Sequence, residues 1–284
     1  MKFGFVMPTG DATEILRMGI AIEEAGWDAA FGWETVYGLD PWALLGGIAG
    51  QTSRIRLGTL LTPPSRRRPW KLASEVATLD RLSNGRAILA VGLGALDTGF
   101  ASVGEQTDRN TRAELLDEAL ERLELFWSND SFTFTGKHDQ IVWNSSIWKL
   151  EPVQKSRVPI WVVGARPNER SMARTYRWNG VLPFTRDGSG TSADLSPAMI
   201  DEIRLRSALV HNPEAPRDMV IECLTPAGDA DALNRVRDVA AAGATCWIGA
   251  SWRHRRRDEA HSSRPTGNLK SVGEHRPMTP ERYQ

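Results

Sequence analysis

The stretch Gly164-Ala165-Arg166-Pro167-Asn168 carries the clearest chemical pattern in the chain. It follows an apolar run and precedes a helical one. Pro167 suits a first helical turn, and free N–H groups at a helix start attract phosphate. Arg166 would add a bidentate charged contact, or else be an ordinary solvated loop arginine. Glu34 is the best-placed titratable group: a carboxylate at the end of an apolar run can have its protonation tuned by its surroundings. The same residue could equally be a structural partner of a nearby amide or arginine. Tyr37 and Asp97 are weaker candidates. Gly92 and Gly94 end another apolar run and permit a tight turn or the close approach of a planar ligand.

These residues need a scaffold that brings the ends of several strands together. Apolar runs at Lys2–Met7, Asp28–Trp33, Ile55–Leu61 and Ala87–Leu93 each precede an amphipathic helical segment, and the unit resumes at Ile160–Val163, Val181–Phe184, Met219–Leu224 and Thr245–Gly249. Near-continuous apolar strands alternating with helices predict a parallel sheet covered by helices. Eight such strands, the last without an amphipathic run after it, predict a (β/α)8 TIM barrel, in which chemistry is built at the carboxyl ends of the strands. Residues 1–252 are read as that one domain, with an excursion across the mouth over Ser128–Pro159 after the fourth helix. Residues 253–284 hold few aliphatic side chains and are read as a polar basic tail without stable structure.

The 284 residues suit one barrel of roughly 250 residues, and 35 basic against 35 acidic groups give no field for nucleic acid or an anionic membrane. The apolar start is far too short for a signal peptide or a membrane span, so a cytoplasmic location is expected. Cys223 and Cys246 lie in strand-like runs and read as small core residues in a reducing compartment. No metal-ligand pattern is read. The run Arg66-Arg67-Arg68 is expected to be a solvated turn, since three neighbouring charges cannot all face one buried site. Trp33, Trp42, Trp70, Trp161 and Trp178 either wall an apolar pocket or fill the core.

The segment from Ile55 to Arg112, with Ile55-Arg-Leu-Gly-Thr-Leu-Leu-Thr-Pro, the helix ending Leu82-Ser-Asn-Gly-Arg86, and Val91-Gly-Leu-Gly94, resembles the luciferase-like monooxygenase family. The likeness continues through Thr107-Asp-Arg-Asn-Thr-Arg112 and Pro159-Ile-Trp-Val-Val-Gly-Ala-Arg166 and covers roughly Lys2 to Trp252. It implies a flavin or deazaflavin over the barrel mouth, its phosphate held by Gly164, Ala165, Arg166 and Arg112. Arg112 could instead form a helix-surface ion pair with Glu105 or Glu118. The ring would lie against Thr62, where relatives carry a backbone kink and sometimes a cis peptide, and against Gly92 and Gly94. Some relatives carry a catalytic histidine after the second strand, where this chain reads Trp33-Glu-Thr-Val-Tyr37. Relatives also commonly carry an arginine just after the fourth strand, where this chain has Leu93-Gly-Ala95.

The resemblance implies an oxidoreductase acting on a small organic substrate. The first reading is a monooxygenase using reduced FMN and O2, supplied by a separate flavin reductase. The alternative is hydride transfer with coenzyme F420, which needs no such partner. A homodimer is compatible with either. A non-catalytic flavin-binding protein stays open, as does an unrelated phosphate-binding barrel, although Lys71 and Lys155 lie away from strand ends. A doubly wound dinucleotide fold lacks its G-x-G-x-x-G after the first strand.

Overall fold

Alternation of apolar runs with capped helices lays the chain out as β1 (Lys2–Val6), α1 (Ala12–Glu24), β2 (Ala29–Gly32), α2 (Pro41–Ala49), β3 (Arg56–Thr62), α3 (Pro69–Leu82), β4 (Ala87–Val91) and α4 (Arg109–Trp127). Then come a hairpin of β5 (Phe132–Thr135) and β6 (Gln140–Trp143), β7 (Ile160–Ala165), α5 (Glu169–Thr175), β8 (Gly180–Arg186), β9 (Ser192–Ala193), α6 (Pro197–Ala208), β10 (Asp218–Cys223), α7 (Ala232–Ala241) and β11 (Cys246–Ala250). The computed structural model describes residues 1–147, 149–186, 192–210, 217–223 and 229–250. The strand-end positions Thr225 and Ser251 and the expected tail at 253–284 lie outside the described residues.

The main sheet runs β10-β11-β1-β2-β3-β4-β7-β8, and β8 pairs back to β10 to close it. All eight strands are parallel, as the repeated units require. Side chains alternate along each strand. One set, including Leu57, Leu89 and Val162, packs under the helices. The other, including Phe31, Ile88, Trp161 and Val220, fills the barrel. Phe31 and Trp161 lie 5.5 Å apart, and so large a pair fits because glycine faces each ring. A Cβ on Gly180 would sit 2.1 Å from Trp161 Cδ1, and one on Gly4 2.9 Å from Phe31 Cε2.

Caps start the helices just past the strand ends. Asp11 accepts from Thr13 N–H, Asp40 from Ala43, Asp108 from Thr111, Asn168 from Ser171 and Ser196 from Met199. These side-chain oxygens satisfy amides that have no partner inside the helix.

The excursion after α4 does not cross the mouth. Its antiparallel hairpin lies along α4, where Phe126 meets Phe132 and Trp143 edge-on and Arg122 pairs with Asp139. His138, between β5 and β6, stands 2.9 Å from Glu114 Oε2. The chain then returns along the amino end of the barrel. There buried Asp80 accepts from Ala87, Val153 and Gln154 N–H and from Gln154 Nε2. Nearby, Asn84 at φ 54° and Gly85 at φ 83° turn the chain out of α3. Arg86 then donates to the carbonyls of Ala49, Thr52, Ile55 and Ser83. The Ser83-Asn84-Gly85-Arg86 motif is therefore a clamp on the α2–β3 connection, at the end of the barrel opposite the strand carboxyl ends.

Trp127 Nε1–H donates to Ala73 O at 3.1 Å, joining α4 to α3 in the core. Trp127→Phe removes that bond with modest loss of volume and should cost about 1 kcal/mol, a fall in Tm of about 2–4 °C. Thermal unfolding followed by circular dichroism measures it; an unchanged Tm would remove this contact from the set that joins the two helices.

Both cysteines are buried, and burial pushes the Cys246 thiol up. Among the described residues no helix is long and apolar enough to cross a membrane, and no group of His, Cys, Asp and Glu is placed to hold a metal ion.

Candidate active site

Glu34 leaves β2 pointing toward the third strand rather than into open space. Its Oε2 accepts from Thr62 Oγ1 at 2.6 Å and Trp42 Nε1 at 3.4 Å, and its Oε1 from Arg67 Nε at 3.1 Å. Arg66 Nη2 stands 3.6 Å from Oε1 and donates to the Glu34 carbonyl. The Arg67 guanidinium also reaches Glu75 at 2.8 Å. The arginine run is thus only in part the solvated turn expected: Arg66 and Arg67 converge on one buried carboxylate, and Arg68 stacks over Trp70. Burial lowers Arg66 below its ordinary value. For Arg67 burial acts the same way but is outweighed by Glu34, Glu75 and Asp40, and its value rises. Both oxygens of Glu34 are already held by donors, an arrangement that fixes the β2 and β3 ends.

Thr62 serves this network as well, sharing a 2.8 Å hydroxyl contact with Thr59. The cis peptide in this strand joins Leu60 to Leu61, not Thr62 to Pro63. Beside it, the two glycines after β4 make room for protein side chains. A Cβ on Gly92 would meet Leu61 Cδ2 at 3.0 Å, and one on Gly94 would meet Phe100 Cζ and Pro63 Cγ at 2.8 Å. Gly94 also sits at φ +75°, where other residues are strained.

Arg112 is 4% exposed. It makes no ion pair with Glu105 or Glu118; its Nη1 donates to Leu93 O at 2.7 Å and Gly94 O at 3.2 Å. Its guanidinium lies 5.4 Å from the Phe100 ring centre, and Arg66 lies 4.9 Å from the same ring. Burial lowers Arg112 too, and its Nε has no partner among the described residues. Arg112 therefore binds the loop after β4 from beneath.

The arginine that shares a pocket with Arg166 is Arg109. A cavity of about 340 Å³ is lined by Arg109, Ala165, Arg166, Pro167, Asn168 and Phe184. Arg109 is the first residue of α4 and lies on the same helix face as Arg112, one turn nearer the mouth. It is exposed and makes no ion pair among the described residues, whereas Arg166 Nη2 is held by Glu202 Oε2 at 2.8 Å. That contact holds the Glu202 carboxyl below its usual range. The turn amides expected to face a phosphate are engaged elsewhere: Ala165 N–H donates to Ser171 Oγ and Arg166 N–H to Phe184 O. Gly164 is needed for packing, since a Cβ there would sit 2.7 Å from Met172 Sδ. The cavity thus brings Arg109, and not Arg112, together with Ala165–Asn168. The missed signal was local: Asp108 caps α4, so the arginine immediately after it stands closest to the strand ends.

A second cavity, of about 310 Å³, opens between the β1–α1 and β2–α2 loops and includes Trp33 and Tyr37. Trp42, Trp161 and Trp178 are core, whereas Trp33 and Trp70 are exposed.

The fold has counterparts among known proteins. A family model described as luciferase-like monooxygenase matches residues 1–269. The F420-dependent glucose-6-phosphate dehydrogenase of Amycolatopsis mediterranei is 31% identical over 164 residues, 54% of this chain and 48% of that protein. The phthiodiolone/phenolphthiodiolone dimycocerosates ketoreductase of Mycobacterium tuberculosis is 32% identical over 140 residues, 49% of this chain and 35% of that protein. These alignments therefore span less than half of the relatives' own length. Among solved structures, the F420-dependent tetrahydromethanopterin reductase of Methanopyrus kandleri superposes with a TM-score of 0.69 at 17% identity, covering 88% of this chain and 93% of that one. The FMN complex of the oxygenating constituent of 3,6-diketocamphane monooxygenase from Pseudomonas putida gives 0.63 at 17% identity, covering 79% and 67%. The chain belongs to the luciferase-like monooxygenase family.

Proposed function

We propose that this enzyme is an F420-dependent oxidoreductase, with the cofactor phosphate between Arg109 and Arg166. The observation that carries the reading is the 340 Å³ pocket, in which one guanidinium has no carboxylate partner among the described residues and a second is tied only to a surface glutamate. That donor set fits a phosphate. Arg109 is exposed, so a group seated there stays open to solvent. This suits a phosphodiester continuing into an anionic tail, as in F420, better than a terminal phosphate alone. The 31% identical glucose-6-phosphate dehydrogenase described above is F420-dependent by its name. When bound, such a cofactor supplies a hydride for reversible transfer to or from carbon. The chain's own contribution is to hold the phosphate and to fix the β2 and β3 ends through Glu34.

The FMN monooxygenase reading is the second one, favoured by the fold shared with the FMN complex. It would use the same two arginines and would require a separate reductase. Titration of the purified protein with F420, oxidised FMN and reduced FMN, followed by absorbance and fluorescence, separates the two. The expected result is F420 binding at least about tenfold tighter than either form of FMN, the scale of one charge-assisted contact. Tighter binding of reduced FMN would reverse the order, and binding of neither would sink both.

A further inference from the structure

The cavity between the first two βα loops has no part in holding the phosphate. Met7, Ile15, Pro41 and Leu44 form its inner wall, and Trp33 and Tyr37 stand at its opening, Tyr37 almost wholly exposed. Among the described residues that line it there is no Asp, Glu, Lys, Arg or His. At about 310 Å³, and about 30 Å³ for each liquid-packed atom group, it has room for about ten non-hydrogen atoms. This is the lower end of the range for small-molecule sites.

Two threonines stand among the apolar and aromatic lining residues. Thr9, after β1, and Thr35, after β2, both line the cavity. Neither has a hydrogen-bond partner among the described residues. A hydroxyl can donate or accept, so the pair can serve one carbonyl or hydroxyl oxygen of a ligand. An anion, by contrast, would lose its hydration here and find no cation in return. Glu34 does not alter this, because its side chain leaves the β2 end toward Thr62 and Arg67, away from the cavity wall formed by its neighbours Trp33 and Thr35.

We infer that this cavity binds an uncharged, largely apolar molecule of about ten non-hydrogen atoms carrying one ketone or alcohol oxygen, oriented by Thr9 and Thr35. As a binding site it stands on the lining alone. Its assignment as the substrate pocket rests on the oxidoreductase reading above. A ketone and its secondary alcohol are the two ends of one hydride transfer, and both are neutral. A sugar phosphate is excluded by the same lining.

The test is calorimetric titration of the purified enzyme with 2-nonanone, 2-nonanol, nonanoate and glucose 6-phosphate, on the native chain and on Gly10→Leu. Gly10 lines the cavity, and a Cβ there meets nothing closer than 3.8 Å, with Ile15 Cδ1 among the nearest atoms. Leucine at this position should fill the space while the fold is kept, which an unchanged Tm would verify. Tyr37→Ala, at an exposed position, provides a second variant that folding cannot confound. The expected result is one 2-nonanone or 2-nonanol per chain. Gly10→Leu should weaken it by about tenfold or more, the scale on which a misplaced methylene is discriminated in an apolar pocket. Tyr37→Ala should weaken it less, and F420 affinity should stay unchanged in both variants. Preference for nonanoate or glucose 6-phosphate, or ketone binding indifferent to Gly10→Leu and Tyr37→Ala alike, overturns the inference. If 2-nonanone binds in this Gly10-sensitive way while neither F420 nor FMN binds, the pocket stands and only its role as a redox substrate site falls.

Discussion

Replacing Arg109 and Arg166 together by alanine is expected to weaken F420 binding by about a hundredfold, with little effect on a deazaflavin lacking the phosphate. Each guanidinium offers a charge-assisted hydrogen bond worth about 1.5–3 kcal/mol, and about 1.4 kcal/mol is a tenfold change in affinity. The lower end of that range applies because Arg109 is exposed and screened by salt, and Arg166 must share its charge with Glu202. For the same reason, affinity of the native enzyme should fall as ionic strength rises, and that dependence should flatten in the double variant. Arg112→Ala is the informative control. Its guanidinium serves the carbonyls of Leu93 and Gly94, so its loss should lower Tm and loosen the loop after β4 before it touches phosphate affinity. Fluorescence titration of the variants, with thermal unfolding alongside, measures both effects. If the Arg109/Arg166 variant binds F420 as the native chain does, while Arg112→Ala removes binding without lowering Tm, the phosphate belongs on Arg112 and the pocket assignment fails.

That control also marks the limit of what the sequence discloses. The barrel was legible because its units repeat: apolar strands, helices begun by Asp40 and Asp108 caps, and turns at Gly26 and Gly85 are local features. The most recognisable motif, Ser83 to Arg86, was legible for the same reason, yet it clamps the amino end of the barrel, far from any chemistry. The site itself depends on choices that periodicity does not record. Arg109 and Arg112 lie on one face of α4, and only the depth of the β4 loop decides which is covered and which reaches the pocket. The Glu34 network joins residues 28 to 33 positions apart, so a run of three arginines that reads as a solvated turn becomes an inward pair and one outward neighbour. The excursion after α4 was misplaced because its short strands find their partner in a helix flank, through Phe126 and Arg122, rather than in the barrel.

The same network yields the largest expected loss of stability, from Glu34→Ala. Removing this carboxylate strands Arg66, whose side chain is 8% exposed, leaves Arg67 to its contact with Glu75, and frees the Thr62 hydroxyl and the Trp42 indole N–H. Breaking a buried ion pair from one side costs about 3–5 kcal/mol, because a charge is left desolvated without compensation. The resulting fall in Tm is on the order of 10 °C. Glu34→Gln should fall between, since the amide oxygen can still accept from Thr62 while the charge is lost. A general base at this position would behave differently. Its removal would leave Tm near the native value and abolish one limb of the pH–rate profile of kcat/KM, and glutamine would be as inactive as alanine. The double variant Glu34→Ala/Arg66→Met decides between the two. If Glu34 acts by neutralising buried guanidinium, replacing that guanidinium by an apolar side chain of similar reach should recover part of the lost stability, a positive coupling between the two positions. Strict additivity of the two substitutions, with an unshifted Tm for Glu34→Gln, would return Glu34 to the role of a free carboxylate and leave the β2 and β3 ends to be held by Thr59, Thr62 and the strand pairing alone.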